Sequence, residues 1–250
     1  MKLAVIIPAA GQSTRFGFGD KLSQDLGGRP ILLRAVEAFV KRQETCQIIV
    51  AAPPDDLDGF KDRYGAQLGF HGASVVAGGS TERWESVQNA LAEVPEEATH
   101  VAIHDGARPN ITPELLDRIL DAARVHDAVI PGVRVTSTLK RIGEDTVRSA
   151  EDDAIADAIL GNIDEDTGTP AAHLVEETIP RSNVVAVQTP QVFARTVLVD
   201  AYAQAEIGDA TDDAMLVERL GIPVAVVEGD PANIKVTNEQ DLHMIRRLAR

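Results

Sequence analysis

The alternation of strand-like and helix-like segments constrains the fold of this chain more than any other feature of its sequence. Continuous aliphatic runs such as Leu3–Ile7, Gln47–Ala52 and Ala73–Ala77 are each followed by apolar residues at helical spacing. Strands that are aliphatic on both faces are typical of parallel sheets covered by helices on both sides. The sequence therefore predicts an α/β fold built on a mostly parallel sheet.

The same alternation of strand-like and helix-like segments predicts the other elements of the fold. Pro30 suits the first turn of a helix, and Thr211 suits the N-cap of another, with Asp212 and Asp213 in its first turn. Further strands are predicted at Thr99–His104, Ala128–Val133, Val184–Val187, Val224–Glu228 and Asn233–Val236, and further helices at Asp55–Tyr64, Glu82–Ala92, Thr112–Val125, Thr196–Ala205 and Glu239–Ala249.

An acidic segment at about 144–177 interrupts this rhythm. Eleven Asp or Glu residues stand there against Arg148 alone, and only Ala154–Leu160 shows a weak helical pattern. We interpret the segment as an insertion carried by an arm, 136–183, that protrudes from the sheet. Residues 1–250 otherwise predict a single domain.

Composition excludes several classes of partner. The formal net charge is −15, so nucleic acid and an anionic membrane surface would be repelled at long range. A small anionic ligand is still possible, because the basic residues are unevenly distributed. Cys46 is the single cysteine, which excludes an internal disulfide and favours a reducing compartment. Without a signal peptide or an apolar run long enough to span a bilayer, we expect a cytoplasmic protein.

Polar loops follow several of the predicted strands. In a parallel sheet, ligands bind beyond the carboxyl ends of the strands, which is where AAGQSTRFG, GGSTERWES and HDGARP lie. The first loop matches neither GxGxxG nor GxxxxGK[ST]. Its small residues, with Arg15 and Lys21, would nevertheless suit a cradle for an anion. A plain strand–helix connection is the alternative.

The loop HDGARP and the later segment NIKV carry further candidates. Asp105 and Arg108 could form a local ion pair, or Asp105 could hold a divalent cation through oxygen. We interpret His104 as a packing residue of the strand rather than a catalytic base. Lys235 would face either solvent or an anion, and Asn233 two positions earlier favours the anion.

Taken together, these loops resemble one enzyme family. PAAGQSTRFG with a following lysine, GGSTERWESV, HDGARP, STLKR, TPQVF, ATDDA and EGDPANIKVTNEQDL occur in the order and spacing of the 2-C-methyl-D-erythritol 4-phosphate cytidylyltransferases. The resemblance runs from residue 3 to about 243, apart from the acidic insertion. It implies a Rossmann-like sheet of the glycosyltransferase-A type with a protruding arm.

The resemblance also implies roles for particular residues. Arg15, Lys21 and Lys235 would be the catalytic cations, and Asp105 would lie near Mg²⁺. The nucleotide, CTP, would be bound by Ala9, Ala10, Gly11, Gly79, Arg83 and Ser86. The acceptor, an alditol phosphate, would be bound by Asp105, Arg108, Thr138, Arg181, Thr189, Asp212 and Asn233. Thr138 and Arg181 would belong to an arm that completes a homodimer.

This sequence departs from the family pattern at three places. Lys21 stands in Asp-Lys-Leu where the family usually has Pro-Lys-Gln, and Gly106 replaces a common alanine. The arm is also longer than a compact arm requires, because of the acidic insertion. These departures leave the expected reaction unchanged: transfer of CMP from CTP to 2-C-methyl-D-erythritol 4-phosphate with release of pyrophosphate.

Other functions are compatible with parts of the same pattern. A sister enzyme that uses ribitol 5-phosphate with CTP would share most of these motifs. A non-catalytic nucleotide-binding or scaffold protein could use the acidic insertion as its interaction surface. An NAD-dependent dehydrogenase is disfavoured by the missing GxGxxG.

Overall fold

The computed structural model describes residues 1–11, 16, 19–147, 172–208 and 210–248. Two compact units are present: Met1–Val133 together with Val187–Arg250, and Arg134–Ala186. Arg15 and the predicted helical stretch Ala154–Leu160 lie outside the described residues. The larger unit contains the sheet, and the smaller one contains the predicted arm.

The larger unit is built on a mostly parallel sheet, as the sequence predicts. Its strands are β1 Leu3–Pro8, β2 Thr45–Ala52, β3 Ala73–Ala77, β4 His100–Ile103, β5 Ala128–Arg134, β9 Gln191–Ala194 and β10 Ala225–Glu228. They lie in the order β10-β5-β9-β4-β1-β2-β3. Because β1 is parallel to both β2 and β4, the loops that leave these strands meet at one edge of the sheet.

Helices cover both faces of this sheet. They are α1 Ile31–Val40, α2 Leu57–Phe60, α3 Ala66–Phe70, α4 Arg83–Leu91, α5 Pro113–Ala123, α6 Arg195–Tyr202, α7 Asp213–Arg219 and α8 Glu239–Leu248. Alternate residues of β1 explain the two layers. Val5 belongs to the core that includes Leu32 of α1 and Leu115 of α5, whereas Ile6 packs with Val87 of α4 and Leu198 of α6. The predicted fold class is confirmed.

Two strand regions differ from the sequence prediction. The sequence analysis assigned no element to the short strand β9, which lies antiparallel between β4 and β5, with Val192 and Phe193 fully buried. Conversely, Asn233–Val236 forms no strand in the described structure. Its polar groups bond to loops instead; for example, the Val236 N–H donates to the Ala107 carbonyl at 2.8 Å.

Two predictions about helices also need correction. The helix predicted at Asp55–Tyr64 begins at Leu57 and, through a π-turn at Lys61–Gly65, continues to Phe70, which lets Leu68 join the core. Thr211 is not the N-cap of α7. Asp212 is the cap, because its carboxylate accepts the Met215 N–H at 3.0 Å.

The smaller unit contains the antiparallel hairpin β6 Leu139–Val147 and β7 Ala172–Ile179, and the short β8 Val185–Val187 follows. Both ends of the predicted acidic insertion therefore lie in strands: 144–147 in β6 and 172–177 in β7. Residues 148–171 lie outside the described part of the chain. Across the part that is described, no helix is long and apolar enough to span a bilayer.

Candidate functional site

A cavity of about 410 Å³ lies at the edge of the sheet where β1, β3 and β4 end. The residues that border it come from all the loops singled out in the sequence. Among the predicted site residues, those that border it are Ala9, Ala10, Gly11, Lys21, Gly79, Arg83, Ser86, Asp105 and Lys235. Segments far apart in the sequence thus converge on one cavity.

Lys21 reaches the cavity from a short 3₁₀ turn, Lys21–Ser23. Asp20 caps this turn by accepting the Leu22 N–H at 2.9 Å. The other carboxylate oxygen of Asp20 accepts a hydrogen bond from the Tyr64 hydroxyl at 2.8 Å. The aspartate that stands where the family usually has proline therefore anchors the turn that carries the lysine.

The loop after β3 places Arg83 and Ser86 on the first turns of α4. The Gly79 N–H donates to the Ser86 hydroxyl at 2.9 Å, which holds the loop against the helix. A Cβ at position 79 would lie 2.2 Å from the Cβ of Glu85. Glycine is therefore required at position 79 for this close approach.

The Asp105 carboxylate is the electrostatic centre of the site. It faces three basic side chains: Lys235 Nζ at 3.1 Å, Arg108 Nε at 3.3 Å and Arg83 Nε at 3.5 Å. Arg83 also forms an ion pair with Asp213 at 2.7 Å. The Lys235 side chain is 38% exposed, whereas those of Arg108 and Asp105 are about 10% exposed. Lys235 is thus the partner of Asp105 with the most access to solvent.

These charges shift the pKa values of the groups that carry them. Burial alone would raise the pKa of Asp105, but Arg83, Lys235 and Arg108 together lower it below the ordinary range of aspartate. Burial alone would lower the pKa of Arg83, but Asp213 and Asp105 raise it above its ordinary value. The carboxylate and the guanidinium therefore both stay charged at neutral pH.

A chain of hydrogen bonds behind the cavity fixes the loop that carries Asp105. The Asp105 N–H donates to the Thr189 hydroxyl at 3.0 Å. The same hydroxyl oxygen lies 3.1 Å from His104 Nδ1. His104 Nε2 lies 3.0 Å from the carbonyl of Arg108. A carbonyl only accepts, so we assign the proton of the neutral ring to Nε2 and the accepting role to Nδ1. His104 links the two ends of the loop.

Burial lowers the pKa of His104 to about 4, and the side chain is fully buried. A group that cannot gain a proton near neutral pH and does not reach the cavity is poorly suited to act as a general base. The structure supports the interpretation of His104 as a packing and hydrogen-bonding residue.

Arg108, Asn233 and Thr189 lie in the layer behind the cavity. Arg108 Nη1 donates to the Asn233 carbonyl at 2.7 Å, and Asn233 Nδ2 donates to the Thr189 carbonyl at 2.8 Å. Gln188 Nε2 also reaches the Asn233 carbonyl, at 3.2 Å. This layer joins the Lys235 segment to the Asp105 loop.

The remaining predicted acceptor residues are Asp212, Thr138 and Arg181. Asp212, besides capping α7, accepts a hydrogen bond from Gln191 Nε2 at 2.7 Å and does not border the cavity. Thr138 and Arg181 are exposed residues of the smaller unit, just before β6 and just after β7. Their roles remain predictions, as does that of Arg15.

Several residues of the site escaped the sequence analysis. Thr81 and Thr237 border the cavity, and both belong to loops that the sequence had marked as polar. Behind them, Asp213 accepts a hydrogen bond from Arg83, Tyr202 donates to Asp213, and Asp20 caps the turn that carries Lys21. The sequence gives no sign of these three residues, because the hydrogen bonds Tyr202–Asp213 and Tyr64–Asp20 form only in the tertiary fold.

The described residues contain no group of three or more His, Cys, Asp or Glu side chains that could hold a metal on their own. Asp105 is nevertheless a carboxylate at the cavity wall. Mg²⁺ commonly binds through one or two carboxylates together with substrate phosphates and water. The residues present therefore fit a magnesium ion that arrives with a phosphate ligand.

We predict that His104 makes stability depend on pH. An unfolded histidine binds a proton below about pH 6.5, whereas native His104 does so only below about pH 4. The unfolded state thus binds more protons between these values. The stabilisation is complete above pH 6.5 and decreases, by roughly 3 kcal/mol in total, as the pH falls to 4.

Urea unfolding at several pH values in this window tests the prediction. His104→Gln should show a shallower fall in the free energy of unfolding than the parental protein. His126→Gln, which replaces an exposed histidine, is the control. Equal pH slopes for His104→Gln and the parental protein would contradict the prediction.

Comparisons with known proteins identify one family. The chain matches the family described as IspD, 2-C-methyl-D-erythritol 4-phosphate cytidylyltransferase, over residues 3–158 and 146–248. An enzyme of that name from Frankia casuarinae is 38% identical over 99% of this chain and 81% of its own length. Another, from Bacteroides thetaiotaomicron, is 36% identical over 97% of both chains.

Solved structures give the same result. The crystal structure of 2-C-methyl-D-erythritol 4-phosphate cytidylyltransferase from Thermus thermophilus superposes with a TM-score of 0.70 and 31% identity over 100% of both chains. Family match, relatives and fold therefore coincide over nearly the whole length. The chain belongs to the 2-C-methyl-D-erythritol 4-phosphate cytidylyltransferase family, which consists of nucleotidyltransferase enzymes.

Proposed function

We propose that this protein transfers CMP from CTP to 2-C-methyl-D-erythritol 4-phosphate and releases pyrophosphate. The observation that carries the proposal is the convergence of Lys21, Arg83 and Lys235 on one cavity beside Asp105. A protein with a net charge of −15 would otherwise repel a triphosphate. Family membership supplies the identity of the nucleotide and the acceptor.

The reaction requires alignment and charge neutralisation more than proton transfer. A phosphate monoester has its second pKa near 6, so the acceptor is largely dianionic at pH 7 and needs no general base. Its oxygen forms a bond to the α-phosphorus of CTP, while the bond from that phosphorus to the β-phosphate oxygen breaks. Basic side chains reduce the repulsion between the two anions and stabilise the charge on pyrophosphate.

Each residue has a part in this reaction. Lys21 and Lys235 bind the triphosphate, and Arg15, in the role that the family resemblance implies, would add a third cation. Asp105 keeps Lys235 at the cavity wall and would hold Mg²⁺ together with the phosphates of CTP. Bound there, Mg²⁺ would supply positive charge to the triphosphate.

The choice of acceptor rests on the relatives. Those described above are named for methylerythritol phosphate and not for ribitol phosphate. The scaffold alternative is disfavoured because the chain belongs to an enzyme family and retains Lys21, Asp105 and Lys235 at one cavity. The small-molecule substrates and the single cysteine favour a cytoplasmic location. Cell fractionation that recovers the protein outside the cytosol would contradict this location.

A substrate panel tests the reaction directly. CTP and UTP would each be combined with methylerythritol phosphate or ribitol phosphate, with Mg²⁺ or with a chelator, and pyrophosphate would be measured. We expect the highest turnover with CTP, methylerythritol phosphate and Mg²⁺ together. Preference for ribitol phosphate, or no pyrophosphate from any pair, would refute the proposal.

We predict that Lys21→Ala and Lys235→Ala each reduce turnover on the order of a hundredfold at saturating substrates. Removal of one preorganised cation costs roughly 3 kcal/mol in the barrier. Lys61→Ala removes an exposed lysine outside the cavity and serves as the matched control.

Pyrophosphate release measures the effect, and circular dichroism checks that each variant is folded. A folded Lys21→Ala or Lys235→Ala variant that turns over like the control would remove that lysine from the catalytic group.

We also propose that a second copy of the chain packs against the arm. Ile142, Leu174 and Val175 of the hairpin β6–β7 are 52%, 66% and 56% exposed. An isolated two-stranded hairpin is marginally stable in water, so apolar side chains on it favour a covering surface. A homodimer would provide that surface.

Analytical ultracentrifugation tests this assembly. We expect a dimer for the parental protein and a shift toward monomer for Ile142→Ser combined with Leu174→Ser. Val125→Ser, at a residue that is 76% exposed in the other unit, controls for the loss of an exposed apolar side chain. A monomeric parental protein at micromolar concentration would contradict the proposal.

A further inference from the structure

Arg83 lies between two carboxylates with different surroundings. Its Nε is 3.5 Å from Asp105, which borders the cavity, and its Nη1 donates to Asp213 at 2.7 Å. Asp213 is only 1% exposed and is not part of the cavity wall. The shorter contact is therefore made to the carboxylate behind the site.

Tyr202 completes this arrangement. Its hydroxyl donates to the second carboxylate oxygen of Asp213 at 2.6 Å, and its ring is buried. Each oxygen of Asp213 thus has one strong donor. Because Tyr202 ends α6 and Asp213 begins α7, two elements of the scaffold together determine where the Arg83 guanidinium lies.

Stability alone does not account for these buried charges. Removing a carboxylate and a guanidinium from water costs several kcal/mol, and the attraction between them roughly offsets that cost. The contact between Arg83 and Asp213 instead determines where the guanidinium lies. Without Asp213, the remaining carboxylate beside Arg83 is Asp105, which already faces Lys235 and Arg108. Arg83 would then move toward Asp105 and into the cavity.

A guanidinium has five N–H donors in a fixed planar arrangement. Asp213 occupies a donor on Nη1, and Asp105 faces Nε. Arg83 itself borders the cavity, so its other donors are available to a ligand there. Fixing the plane of the guanidinium fixes the direction of those donors.

We propose that Asp213 and Tyr202 are positioning residues that hold the Arg83 guanidinium for the nucleotide. The proposal rests on the proposed function, in which Arg83 binds CTP, and extends it to two residues outside the cavity. Asp213 holds the guanidinium through its carboxylate, and the Tyr202 hydroxyl orients that carboxylate.

Nucleotide binding and steady-state kinetics of Asp213→Asn and Tyr202→Phe test the proposal. Both variants nearly keep the side-chain volume: Asp213→Asn removes the charge and replaces one acceptor oxygen by an NH2 donor, and Tyr202→Phe removes the hydroxyl. We expect the Kd and the KM for CTP to rise on the order of tenfold in Asp213→Asn and about fivefold in Tyr202→Phe. The KM for the acceptor should stay within about twofold of the parental value.

A double-mutant cycle with Arg83→Gln separates positioning from a general structural effect. If Tyr202 acts through Arg83, Tyr202→Phe should have almost no further effect on CTP binding once Arg83 is replaced. Tyr64→Phe is the matched control, because it also removes a buried hydroxyl that donates to an aspartate, Asp20. Its effect should be the same with and without Arg83.

The outcomes are distinct. Unchanged CTP affinity in both variants, or an equal loss in the Arg83→Gln background, would overturn the proposal. If Asp213→Asn fails to fold, Tyr202→Phe decides. If the parental protein binds CTP but releases no pyrophosphate with methylerythritol phosphate, the proposed function fails, while the comparison of Kd values still decides whether Asp213 and Tyr202 position Arg83.

Discussion

The ion pairs of Asp105 with Arg83, Arg108 and Lys235 are the interactions on which the site depends. One largely buried carboxylate holds three cations near each other, although like charges at that distance would repel in its absence. The arrangement is an acidic centre within a basic cavity, on a protein with a net charge of −15. The local positive charge explains how a chain with a negative net charge can bind a polyphosphate substrate.

The fold gives Asp105 its position through its backbone rather than through its side chain. Its N–H donates to Thr189, and His104 Nε2 bonds to the Arg108 carbonyl at the other end of the loop, so these bonds position the Asp105 backbone without using its carboxylate. Neutral His104 suits this task because a charged imidazolium would require a second acceptor at Nδ1 in a fully buried site. Arg108 links the hydrogen bonds behind the site to the charges within it, because it donates to the Asn233 carbonyl and faces the Asp105 carboxylate.

Much of the fold could be predicted because continuous aliphatic strands at regular spacing have few arrangements other than a helix-covered parallel sheet. The strand β9 could not, since four residues after Pro190 give no periodicity and its pairing depends on β4 and β5. Many cavity residues could be predicted because they lie in polar loops just after strands, where ligands bind in parallel sheets. Asp213 was missed because Asp212 and Asp213 look equivalent in sequence, and only the helix start separates the capping residue from the buried one.

A crystal structure of the protein with CTP and Mg²⁺ would show whether the basic residues around Asp105 bind one polyphosphate. We expect phosphate oxygens within hydrogen-bonding distance of both Lys21 Nζ and Lys235 Nζ, in the cavity beside Asp105. We also expect the Arg83–Asp213 contact to persist when the nucleotide is bound. A triphosphate bound away from this cavity, or in contact with neither lysine, would contradict this arrangement.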